Sequence, residues 1–174
     1  MKQCIRLLCF SCIGLLSLLI FLLIAGFRLN TSDSIPKGLY RLDSGSVKKN
    51  SLILFCPDDR DAFREGRRRG YLERGFCKGH YGYLMKQVAA VAGDRVSTTL
   101  NGVYVNQFLL PFSKPQSHDG LHRPMRRWQV TQYRLKSEEV LTMTNQSPLS
   151  FDARYYGLIQ MKQIKGIITP IVIW

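Results

Sequence analysis

From Leu7 to Phe27 the chain carries no charge, and Ser11 and Ser17 are the only hydroxyl residues in the run. As a helix, a stretch of this length spans about 31 Å, enough for the hydrocarbon core of a bilayer. Most of its residues are Leu, Ile or Phe; at roughly −0.3 to −0.6 kcal/mol each, they favour insertion by roughly 4 to 8 kcal/mol. A cleaved leader is the alternative reading. Its apolar region is usually shorter, however, and Ile24-Ala25-Gly26 is a poor small-x-small cleavage site, so the run reads as a retained anchor. Lys2 and Arg6 precede it and favour a cytoplasmic N-terminus, although Arg28 and Lys37 soften the contrast. The expected organisation is a cytoplasmic tail over 1–6, a transmembrane anchor over 7–27 and one exported domain over 28–174, large enough for a sizeable core.

The chain holds 25 Lys and Arg against 12 Asp and Glu, a net charge of +13. Every acidic residue lies beyond the apolar run. The exported part is therefore strongly basic, a surface drawn to anionic lipid headgroups or acidic partners. Nucleic acid is not expected as a partner. The longest basic run, Arg67-Arg68-Arg69, is interleaved with Asp58, Asp59, Asp61, Glu65 and Glu73 and reads as a solvated helix.

Of five cysteines, Cys4, Cys9 and Cys12 lie in or beside the apolar run, leaving Cys56 and Cys77 for the exported domain. An even pair outside the cytoplasm suggests a disulfide. The rival is a metal site from Cys56, Cys77 and His80, which lacks a fourth ligand at a customary zinc spacing. No metal or cofactor is called for.

Beyond the anchor, Ser51 to Phe55 is a buried-strand candidate, Asp58 stands where a helix N-cap is expected, and Asp59 to about Glu73 reads as one helix or two short ones, with Gly66 and Gly70 as weak points. Strand patterns follow over Tyr83–Val91, Arg95–Leu100 and Val103–Asn106, with turns at Ala92-Gly93-Asp94 and at Asn101-Gly102, a strong hairpin signal. Residues 111–127 read as a long loop. Tyr133–Leu135, Val140–Thr144 and Ile164–Trp174 supply further strands, so the fold class is mainly β: an antiparallel domain with a short helical excursion.

Lys86 shares a strand face with Leu84, Val88 and Ala90. Desolvation there lowers an amine's pKa toward neutrality, and a neutral lysine is a competent base. An edge-strand lysine snorkelling to water fits the same spacing. Ser34 taken alone is a linker serine of the kind that caps turns. Pro36 and Gly38 nevertheless make the segment after it rigid and narrow. An oxyanion beside it could be met by the Ser34 backbone N–H and the Ser32 hydroxyl. Asp152 and Arg154 read as a salt bridge. His80, His118 and His122 sit in polar loops, which leaves no serine-histidine-aspartate arrangement.

Three segments, in this order, resemble the boxes of the type I signal peptidase family: Ser34-Ile35-Pro36, Tyr83 to Val88 with Ala92-Gly93-Asp94-Arg95-Val96, and Ser150 to Gly157. Leader peptidases have one more residue between serine and proline. The Ser-x-Pro spacing with Lys37-Gly38-Leu39-Tyr40, Asn30-Thr31, Leu54 to Pro57, Gly75-Phe76-Cys77, Gly82-Tyr83 and Pro170 to Trp174 resembles the TraF-type conjugal-transfer peptidases of that family. The resemblance implies a signal-peptidase-like β domain and a serine peptidase held at the periplasmic side of a bacterial inner membrane. Its implied partners are a pilin precursor as substrate, the lipid of that membrane and other components of a conjugative type IV secretion system. By position, Ser34 maps to the nucleophile, Lys86 to the general base, Ser150 to the hydroxyl that orients the lysine, and Ser32 to the side-chain oxyanion donor. Asp152 maps to a carboxylate implicated in activity, Arg154 to its basic partner, and Gly93 and Asp94 to the turn after the base strand. In TraF-type enzymes the pilin's own amine resolves the acyl-enzyme and closes a ring. The competing functions are a general signal peptidase removing secretory leaders and a catalytically silent, membrane-tethered assembly factor.

Overall fold

In the computed structural model of the protein, the described residues are 2–174, with side chains described at residue 6 and from residue 10 onward. Met1 and the side chains of Cys4 and Cys9 lie outside them. Helix α1 runs over Lys2–Ile24. The expected six-residue tail is thus largely the start of the helix, and the helix stops three residues short of the expected Phe27. Gly26 ends it by adopting φ +87°, which glycine does without steric cost, and Arg28 Nη1 satisfies the freed Leu23 carbonyl at 2.8 Å. From Phe10 to Ile24 the side chains are apolar or small and exposed, apart from half-buried Leu22. Among the described residues no helix is long and apolar enough to cross a membrane.

Twelve strands follow: β1 (Phe27–Asn30), β2 (Gly38–Asp43), β3 (Leu52–Phe55), β4 (Arg74–Cys77), β5 (Leu84–Ala90), β6 (Arg95–Thr98), β7 (Val103–Val105), β8 (Phe108–Leu109), β9 (Tyr133–Arg134), β10 (Glu139–Met143), β11 (Ile159–Gln160) and β12 (Ile164–Ile173). Two short α-helices, α2 (Asp61–Arg68) and α3 (Ala153–Tyr156), and two 3-10 turns, Lys78–His80 and Met161–Gln163, complete the described elements. A seven-stranded antiparallel sheet has the order β1-β2-β12-β3-β5-β10-β11, and a four-stranded one the order β8-β7-β6-β9. The expected strands from β3 onward are present. The β1–β2 hairpin is a correction: the segment around Ser34, read as a linker, is the loop of a hairpin whose arms pair Phe27 with Arg41 through to Asn30 with Gly38.

Period-two alternation explains how the large sheet is covered. Ile53 and Phe55 of β3, with Val88 and Ala90 of β5, enter the main core, which also takes Phe63, Tyr156 and the inward residues of the second sheet, Val96, Val103 and Val105. Leu54, on the opposite face of β3, joins Ile35, Tyr40 and Ile168 in a smaller core. Burying Ile35 this way folds the loop between β1 and β2 down onto the sheet.

The helical excursion is one eight-residue helix, where one helix or two short ones were expected between 59 and about 73. Its N-cap is Arg60, while Asp58 is held by the Arg60 guanidinium at 2.6 and 2.7 Å. Gly66 is not a weak point: it lies inside α2, where a Cβ would stand 2.8 Å from the Phe151 ring. Cys56 and Cys77 are disulfide-bonded across 21 positions, which takes both thiolates from the metal alternative. In the chain-entropy description such a loop closure stabilises by about 3 kcal/mol.

Candidate active site

Three hydroxyl and amine groups from distant parts of the sequence meet at one point. Ser34 comes from the hairpin loop, Lys86 from β5 and Ser150 from the segment before α3. Lys86 Nζ donates to Ser34 Oγ and, at 2.7 Å, to Ser150 Oγ, and the two hydroxyl oxygens are 3.0 Å apart.

Lys86 is only 2% exposed. Strand β5 lies between β3 and β10, and Lys86 pairs with Ile53, so the snorkelling edge-strand reading does not apply. Burial pushes its pKa down to about 8; Asp152 opposes the shift and Arg154 reinforces it. A minor neutral fraction, roughly a tenth, therefore exists at pH 7, already in contact with a hydroxyl, and it grows as pH rises through 8.

Asp152 and Arg154 are both buried and form a bidentate pair, with Nε to Oδ1 at 2.8 Å and Nη2 to Oδ2 at 2.9 Å. Arg154 also donates to the carbonyls of Phe112, Lys114, Pro148 and Ser150 at 2.7–3.1 Å. One guanidinium thus fixes the segment that carries Ser150, which its five fork-shaped donors suit. The Asp152 carboxylate accepts from Arg154 alone, including its backbone N–H at 3.1 Å at the start of α3. It reaches Lys86 through its field, not through contact.

Gly93 and Asp94 lie in the turn after β5, away from the three-residue cluster. Gly93 takes φ +89°, and the Asp94 carboxylate accepts from Val91 N at 3.0 Å and Asn106 Nδ2 at 2.6 Å. That turn joins the two sheets.

The Ser32 hydroxyl donates to Asn30 Oδ1 at 2.8 Å, so its one hydrogen is already engaged. The Ser34 backbone N–H makes no hydrogen bond among the described residues. It is the candidate donor left free.

Asn30 and Tyr40, which border the Ser34 loop, carry no expected role and yet support it: the Tyr40 hydroxyl donates to the Pro36 carbonyl at 2.6 Å. A cavity of about 800 Å³ lies elsewhere, between α2 and Phe151, and holds no nucleophile.

The family model "Signal peptidase, peptidase S26" matches residues 1–174. A plasmid transfer protein TraF of Escherichia coli is 46% identical over 150 residues, covering 86% of this chain and 84% of its own. A probable conjugal transfer protein TraF of Sinorhizobium fredii is 34% identical over 145 residues, covering 82% and 74%. A solved signal peptidase I from Enterococcus faecalis superposes with a TM-score of 0.42 at 16% identity, over 73% of this chain and 100% of that one.

Proposed function

The chain belongs to the signal peptidase S26 family, and on that premise we propose that it is a membrane-anchored serine-lysine endopeptidase that processes, and cyclises, the pilin of a conjugative secretion system. The observation that carries the reading is the contact of buried Lys86 with both Ser34 and Ser150. Neutral Lys86 takes the proton of Ser34 as Oγ attacks the scissile carbonyl, and returns it to the departing amine. The Ser150 hydroxyl fixes where the amine points, and the Ser34 N–H meets the developing oxyanion. Asp152 and Arg154 act by position and field.

The resulting ester can be resolved by water or by an amine. A tethered, well-oriented amine enjoys effective molarities of about 10⁵ M or more, so the pilin's own N-terminus can outrun water when its two ends meet. The names of the TraF relatives support a conjugative setting, and the Ser-x-Pro-Lys-Gly-Leu-Tyr segment favours it over general leader removal. The apolar run in and beyond α1 supports an inner-membrane anchor, with 28–174 in the periplasm.

Co-expression with the pilin precursor, followed by intact-mass measurement and Edman sequencing, separates the outcomes. A ring lacks one water relative to the linear product and yields no N-terminal sequence. Linear, sequenceable pilin from the wild-type enzyme reduces the activity to processing alone; processing by Ser34→Ala or Lys86→Met removes the serine-lysine mechanism.

A further inference from the structure

Ser34 stands in a loop with no strand ladder of its own, between the last pair of the β1–β2 hairpin, Asn30 with Gly38. Its hydroxyl must nevertheless be held where Lys86 can reach it. Asn30, only 5% exposed, is the side chain at the centre of that loop. Its Nδ2 lies 3.0 Å from each of the carbonyls of Ser32, Ile35 and Pro36, and its Oδ1 accepts from the Ser32 backbone N–H at 3.2 Å and the Ser32 hydroxyl at 2.8 Å. Carbonyls at one end and a backbone N–H at the other fix which way the amide faces.

Resting on the reading of Ser34 as nucleophile, we propose that Asn30 is a positioning residue for it: one buried amide binds the backbone on both sides of Ser34 and so sets where its Oγ stands, with the Tyr40 hydroxyl on the Pro36 carbonyl as a second strut. The amide brackets the serine in sequence, holding residue 32 before it and residues 35 and 36 after it. Asparagine suits the task because it presents donors and an acceptor on one short arm. Aspartate keeps the acceptor for Ser32 but turns oxygens toward three carbonyls. Alanine keeps neither. The same amide takes the only hydrogen of the Ser32 hydroxyl, so it also decides when that hydroxyl can face an oxyanion.

The test uses the full-length protein in detergent and acylation by an activated p-nitrophenyl ester, read as p-nitrophenol release, with Ser34→Ala as the blank. Because displacement of a reacting atom by about 1 Å costs on the order of 100-fold, Asn30→Ala and Asn30→Asp should each slow acylation by about that factor. KM should stay within about twofold, since binding residues are untouched. The pH midpoint set by Lys86 should not move, because Asn30 makes no contact with its amine. Amide hydrogen exchange at Ser32 should rise. Tyr40→Phe, which keeps the buried ring and removes one hydroxyl, should give a smaller, several-fold loss; it carries the test if Asn30→Ala fails to fold. Wild-type acylation by the Asn30 variants while Ser34→Ala is inert overturns the proposal. Wild-type acylation by Ser34→Ala instead overturns the nucleophile reading, and this inference with it.

Discussion

Lys86 occupies a place in which a cation is poorly solvated and a neutral amine is not. Folding moves its pKa from 10.5 to about 8. Between those values the unfolded chain binds more protons than the folded one, so this residue makes stability rise with pH across that window. Below about pH 8 both states are protonated and the whole cost stands, about 3 kcal/mol at 1.36 kcal/mol per unit. Two outcomes are expected. Acylation by the wild-type enzyme should increase with pH through a midpoint near 8 as the amine loses its proton; a profile flat from pH 6 to 9 would show that some other base takes the proton. Lys86→Met, inactive, should melt at a higher temperature than the wild type at pH 7, since a similar apolar chain replaces a buried charge while the Ser34 and Ser150 hydroxyls keep each other as partners. A lower melting temperature would mean that the amine's hydrogen bonds outweigh its desolvation. Strand alternation alone left Lys86 open to the reading of an edge lysine snorkelling to water, and it was the resemblance of its segment to a signal peptidase box that singled it out. Asn30 was not legible: its role depends on a hairpin hidden in what reads as polar linker. A close look at Gly38 gives the clue, since a Cβ there would stand 2.2 Å from the Val172 carbonyl, so the glycine marks a packed strand, not a flexible hinge.

At the level of elements, α2 and the strand after it form a highly charged arm held to the core by Phe63, Leu72 and the Cys56–Cys77 bond. Only Phe63 and Gly66 of α2 are buried, so the Cys56–Cys77 bond adds to the few contacts that hold this helix in place. Reduction should therefore lower the melting temperature, read by calorimetry with and without a reductant; an unchanged transition would place the arm's stability in packing instead. Gly66 makes a finer case. Gly66→Ala should raise helix propensity by roughly 1 kcal/mol, yet the new methyl meets the ring of Phe151, the residue next to Ser150. The clash should win: we expect a less stable protein with reduced acylation, and a stabilised, fully active variant would show that the ring gives way freely. The sequence conveyed the charge of this segment but not which of its two glycines ends the helix: Gly66 is packed inside α2, while Gly70, at φ +81°, follows its end. The later strands were readable for the opposite reason. Asn101-Gly102 and the turn at Gly93 declare themselves locally, whereas β2, besides its hairpin with β1, takes its other neighbour from β12, more than 120 positions away.

For the whole molecule, the direction in which the domain faces decides what it can cut. If α1 enters the inner membrane with Lys2 and Arg6 in the cytoplasm, protease added to spheroplasts should digest residues 28–174 and leave a short apolar fragment. Protection of the domain until the membrane is lysed would reverse the assigned orientation. The arrangement of the large sheet carries one more consequence. Strand β12 lies between β2, which bears the Ser34 hairpin, and β3, which abuts the Lys86 strand, and it pairs with both. Strand β12 is thus the one that joins the hairpin of Ser34 to the strands around Lys86. Until β12 is in place, Ser34 and Lys86 belong to two pieces of sheet that no ladder connects, so their meeting reports that this strand has been added.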